Sequence, residues 1–168
     1  MGLDILAIEK AVRVSDEVDK DFKELYYYHG IEIEEGAVVR VKVNTGFDSH
    51  DHLQDGIYLY QGSIEFGAGS YGTYNGFRND LSLIAHGVFA QVIWANPEIY
   101  KGSDFYELIN FSDCEGVIGP MTSQKLTSDF KKHREAYALE NNEWDLERYD
   151  NWTKAFELAG NDGMVIFC

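Results

Sequence analysis

The chain has 168 residues, 45% of them apolar, with 11 Tyr, 10 Phe and 3 Trp; that suits one domain with a proper core and excludes a disordered chain. A formal net charge of −15 works against general nucleic-acid binding, because phosphate contacts need Lys and Arg. No apolar run is long enough for a membrane span, and Met1-Gly2-Leu3-Asp4-Ile5 lacks the basic-then-apolar order of a leader, so a cytoplasmic protein without membrane contact is expected.

In chain order, Leu3–Val14 reads as a strand near the centre of a sheet. Ser15-Asp16-Glu17 caps a predicted helix over 16–28, with Val18, Phe22, Leu25 and Tyr26 on one face. Ile31–Glu34 and Val38–Val43 read as a hairpin about Glu35-Gly36, and 44–54 as a polar loop. Strands are expected over Ile57–Tyr60 and Ser63–Phe66. The glycine-dense stretch 67–76 reads as a loop that leads into a helix over 74–86, ended by Gly87. Phe89–Trp94 fits a strand or a short helix, stopped by Asn96-Pro97, and a short helix is placed at 103–106.

Phe105–Phe111 reads as an apolar strand running into the polar turn Ser112-Asp113-Cys114-Glu115-Gly116. Pro120 then starts a helix with Leu126, Phe130, His133 and Tyr137 on one face. A last helix over 142–159 presents Tyr149, Trp152, Phe156 and Ala159 inward, and Gly160–Gly163 turns into a strand over 164–167. Strands come mostly first and helices later. The class is therefore α+β: a single domain over 1–168, with a mostly antiparallel sheet packed against several helices.

Three stretches carry side chains that can do chemistry. Gly67-Ala68-Gly69-Ser70-Tyr71-Gly72 has the spacing G-x-G-x-x-G before a helix, where bare amides can hold an anion. A dinucleotide fold also needs a parallel βαβ unit and a later acid, and neither is evident. Arg78, in the first turns of that helix, can grip a phosphate or carboxylate with its fork. Asp48-Ser49-His50-Asp51-His52 alternates metal-ligand types, but a third fixed ligand is not evident locally and a solvated loop explains it better. Asp113 and Glu115 flank Cys114, whose thiolate their charge disfavours; Cys114 and Cys168 suggest no disulfide framework. Turn and helix-start chemistry accounts for much of this last stretch, while Ser112, Ser123 and Lys125 suit grip on an anionic or hydroxylated molecule.

The run F-Y-E-L-I-N-F-S-D-C-E-G at 105–116, with Ile118-Gly119-Pro120, Ser123, Lys125-Leu126 and Asp129-Phe130, resembles a family of small proteins encoded by bacteria and their phages. Ala68-Gly69-Ser70-Tyr71 with Tyr74-Asn75 and Arg78 is similar to that family's second signature, and Met1–Ile5 and Trp152–Phe167 are similar too. The resemblance implies a bacterial or phage setting rather than a chemistry. It does not extend to the His50/His52 loop, and in that family arginine often replaces Gly67.

Together these features lead to an expected binding site with two walls, Ser70, Tyr71, Tyr74, Asn75 and Arg78 on one side and Ser112, Asp113, Glu115, Ser123 and Lys125 on the other. Tyrosines and Trp94 would stack on a planar ring and the two cations would take phosphates. The expected function is non-enzymatic capture of a small nucleotide-like signal, in a host cytoplasm and against host defence, with no cofactor or metal. Two alternatives stay open: an acidic inhibitor that imitates nucleic acid on a host protein, and a nucleotide hydrolase using Asp113 and Glu115. Tyrosine-rich patches fit a homo-oligomer interface equally well.

Overall fold

Strand β1 (Gly2–Glu9) is the axis of the structure, a computed structural model that describes residues 2–15, 38–112 and 115–168. Leu3, Ile5 and Ala7 point to one face and Leu6 and Ile8 to the other, as the two-residue period of a strand requires. From Ile5 to Ile8 both faces are covered, whereas Gly2 and Asp4 at the start of β1 are exposed and alternate with buried Leu3. It lies inside a four-stranded antiparallel sheet of order β5-β1-β7-β6, with β5 at Gly62–Ser70, β6 at Gly116–Ile118 and β7 at Met164–Phe167.

A second, three-stranded antiparallel sheet has the order β2-β4-β3, from Val12–Ser15, Gly56–Leu59 and Val38–Val41. Val41 and Tyr58 from this sheet meet Ile8, Val117, Met164 and Ile166 from the first in a small apolar cluster. On the opposite face, Val165, Phe167 and Ile118 join the main core under the helices. Alternate residues of β6 and β7 thus feed two different cores, which fixes their register.

The helices are α1 (Tyr71–His86), α2 (Ala90–Ala95), α3 (Pro97–Tyr100), α4 (Tyr106–Asn110), α5 (Pro120–Glu140) and α6 (Glu143–Ala159). Tyr149, Trp152, Phe156 and Ala159 recur at helical spacing along α6 and are completely buried. Trp152 stacks on Phe77, Tyr74 and Phe156 with centroids 5.9, 5.9 and 5.7 Å away, and meets Phe66 edge-on at 5.2 Å. Asn142 caps α6, its side chain accepting from the amides of Trp144 and Asp145. No helix among the described residues is long and apolar enough to cross a membrane.

The α+β class follows directly from these layers, and α1, α5, α6 and β7 lie close to the spans predicted for them. Other segments differ. The single strand predicted over 3–14 is two, because Lys10 adopts a left-handed backbone (φ 50°) and sends β2 into the second sheet. Strands β4 and β5 do not pair with each other; each belongs to a different sheet. The glycine-dense stretch is not a loop: β5 runs through it to Ser70, and α1 begins at Tyr71. Gly69 makes that possible, with φ 87° at the bulge opposite Leu3/Asp4 and no room for a Cβ beside Thr73. Residues 89–94 resolve to the helical alternative, α2. Phe105–Phe111 is no strand, and the short helix is not at 103–106: it is α4, begun by Phe105 at φ 59°. The three-residue strand β6 was not anticipated. The helix predicted over 16–28 and the first strand of the predicted hairpin lie outside the described residues.

A polar cleft beside a short helix

Helix α4 is the point where the two predicted walls come nearest to meeting. Its residues Leu108 and Ile109 are fully buried. The carbonyl of Ile109 accepts from Arg78 Nη1 and from Trp94 Nε1, both at 2.8 Å. The carbonyl of Phe111, just past the helix, accepts from the Tyr74 hydroxyl at 2.8 Å. These bonds satisfy carbonyls that a helix end leaves without internal partners.

Arg78 is 3% exposed. Its guanidinium lies between the rings of Trp94 and Tyr74, 4.8 and 5.1 Å from their centroids, and its Nη2 donates to Asn75 Oδ1 at 2.5 Å. Burial lowers the Arg78 pKa from its ordinary value and raises that of Tyr74. Ser70 is exposed and caps α1, its hydroxyl accepting from the Thr73 amide at 3.2 Å. Tyr71 is 37% exposed.

Lys125, in the second turn of α5, reaches the other end of α4. It pairs with Glu107 Oε2 at 2.5 Å and Asp129 Oδ2 at 3.0 Å, and donates to the carbonyl of Ser103. Asp129 Oδ2 in turn accepts from the Phe105 amide at 2.9 Å, which holds the left-handed entry to α4. Ser123 is fully buried and its hydroxyl makes no hydrogen bond among the described residues. Ser112 is exposed, and Asp113 lies outside the described residues. Glu115 borders a shallow depression of about 200 Å³ with Lys42 and Asn44.

A larger cleft, about 220 Å³, opens between the 46–49 loop, Lys101, the outer side of α4 and Thr122. None of the described residues of the two predicted walls lines it. Its loop is fastened to the start of α5. Asp51 accepts from the amide and hydroxyl of Thr122 at 2.7 and 2.8 Å, which supplies the cap that Gly119 has no side chain to make. The Gly119 amide donates to the Ser49 carbonyl at 2.8 Å, and a Cβ on Gly119 would stand 2.6 Å from that of Asp51.

Several polar groups on the cleft wall have bonding capacity left over. Ser49 is 6% exposed, and its hydroxyl has no partner among the described residues. Glu107 accepts from Lys125 through Oε2, and among the described residues Oε1 accepts nothing. The Tyr106 hydroxyl and the Asn110 amide also make no side-chain bond to described residues, although both line the cleft. Burial raises the Tyr106 pKa, against the opposing pull of Lys101 and with help from the carboxylates of Glu107, Glu98 and Asp48. At the rim Lys101 pairs with Asp48 at 3.0 Å, both exposed. Among the described residues no three His, Cys, Asp or Glu side chains are grouped for a metal.

Sequence patterning missed Ser49, Lys101, Tyr106, Glu107 and Asn110. Tyr106, Glu107 and Asn110 sit at i, i+1 and i+4, which is one side of a helix; read as a strand, Glu107 falls opposite the other two. No family model, curated protein or solved structure matches the chain, so the cleft is interpreted from its own geometry.

Proposed function

We propose that the chain binds a small, hydroxylated, nucleotide-like molecule in the cleft beside α4 and holds it without transforming it. In the bacterial or phage setting suggested by the two signature stretches, such capture would remove a signalling molecule and blunt host defence. One observation carries the reading: the residues lining one concave site bring a buried hydroxyl and a carboxylate oxygen, both without a partner among the described residues, together with a phenol and an amide. Convergent polar groups of mixed donor and acceptor type orient ligands, and buried ones left unpaired are costly unless something answers them.

Isothermal titration against cyclic nucleotides and ADP-ribose derivatives tests it. A saturable heat is expected, weakened about tenfold or more by Asn110→Ala. No heat with any of them, together with no small molecule released when the purified protein is heated, overturns the proposal. The charge of −15 favours one rival, an acidic inhibitor of a host protein. Its affinity for that protein would collapse with salt and be indifferent to Asn110→Ala.

A further inference from the structure

Electrostatics narrows what the cleft can accept. The wall carries Asp48 and Glu107, with Asp51 behind it at Thr122 and Glu98 close enough to act on Tyr106. Against them stand Lys101 and Lys125, and both ammonium groups are already held by carboxylates. A phosphate entering here would meet more carboxylates than cations, on a chain of net charge −15. Hydroxyl groups meet no such obstacle. They donate to carboxylate oxygens, and an acidic side chain accepting from sugar hydroxyls is a general device for gripping a ribose.

We infer that the cleft takes the vicinal-diol sugar of the ligand, with Glu107 Oε1 and the Asn110 amide on its hydroxyls, and leaves the phosphates in solvent beyond Lys101. This rests on the proposed role of the cleft as a ligand site. Ser49 agrees with it: the residue lines the same wall, and its hydroxyl is buried, uncharged and without a partner among the described residues. Size agrees. A volume of about 220 Å³ is below the roughly 300–1,000 Å³ of sites that engulf a whole drug-sized ligand, and suits a pentose-sized part of one.

The test is titration with matched ribonucleotides and 2′-deoxyribonucleotides, with adenosine, with ribose, and with inorganic phosphate as competitor. The ribo form is expected to bind at least about tenfold tighter than the deoxy form, because the missing hydroxyl leaves a charged acceptor unanswered. Millimolar phosphate should not displace it, and Ser49→Ala and Asn110→Ala should each weaken the ribo form more than the deoxy form. Neither side chain holds the fold together, so the variants can be read without a folding defect; Glu107→Gln, which disturbs the Lys125 pair, serves as a third. Equal binding of ribo and deoxy forms, or competition by phosphate, overturns the diol assignment and leaves nucleotide capture standing. Adenosine or ribose binding where no nucleotide does supports the diol site and overturns nucleotide capture. Failure of every probe overturns both.

Discussion

On its inner side, α4 offers the single carbonyl of Ile109 to both Arg78 and Trp94, with Tyr74 donating to the carbonyl just beyond, and packs Leu108 and Ile109 into the main core. On its outer side, Tyr106, Glu107 and Asn110 line a cleft and keep bonding capacity that no described residue uses. One turn and a half of helix therefore separates groups whose bonds are mostly made, Arg78 Nε excepted, from groups with capacity left over among the described residues. Residue type alone does not tell them apart. An arginine has the more obvious ligand chemistry, yet here it is locked between two rings, while a serine in the 46–49 segment lines the cleft with a hydroxyl that has no partner among the described residues.

The largest expected effect comes from breaking the inner side at its centre. Trp152→Ala removes the ring against which Phe77, Tyr74 and Phe156 stack. Destabilisation of about 3–5 kcal/mol is expected, read from the midpoint of urea unfolding. Next is Arg78→Ala, at about 2–4 kcal/mol, since it loses a buried bond to Ile109, the bond to Asn75 and the packing between Tyr74 and Trp94. Arg78→Lys should recover little of this, because one ammonium cannot reach both acceptors while stacking. A lysine variant as stable as the parent would mean that the fork is not what holds α4.

These two sites also show what was legible in the sequence. The core face of α6 was plain, because Tyr149, Trp152, Phe156 and Ala159 keep a helical period over a long segment. β7 was plain too, set off by the Gly160–Gly163 turn. The cleft was hidden for a physical reason. Phe105–Phe111 is apolar and aromatic, which suits a strand, but it folds as a short helix because its entry and exit are bonded from elsewhere, by Asp129, Arg78, Trp94 and Tyr74. Such tertiary support outweighs local propensity and leaves no local trace. Arg78 and Lys125 were expected to hold a ligand's phosphates; the structure places the first against the Ile109 carbonyl and the Asn75 side chain and the second between two acids.

A smaller effect tests the loop that joins the two sides. Asp104 accepts from Lys132 and His133 at 2.5 and 2.7 Å, and its carbonyl lies 2.8 Å from His86 Nε2. The bond from Lys132, and then that from His133, lowers the Asp104 pKa to about 2. A carboxylate depressed in the folded state stabilises the fold fully above its unfolded pKa of about 3.9, and that contribution is lost as pH falls through the folded value. Stability followed by circular dichroism should therefore decline from about pH 4 to about pH 2, and Asp104→Asn should flatten that decline. An unchanged slope in the variant would assign the acid limb to other carboxylates.

The smallest change in stability is expected where the change in binding should be among the largest. Ser49→Ala removes a hydroxyl that is buried and makes no hydrogen bond among the described residues. The parent therefore carries a desolvation cost that the variant does not, and the melting temperature should stay level or rise, by the equivalent of no more than about 1 kcal/mol. Ligand should reverse the order: the parent's melting temperature should climb with added ribonucleotide and the variant's should climb less, since stabilisation by a ligand follows its affinity for the folded state. This is the inverse of Arg78→Ala, which should cost stability with or without ligand. Were Ser49→Ala to lower the melting temperature of the free protein by as much as Arg78→Ala does, the hydroxyl would have a structural partner, and the division between the two sides of α4 would fail.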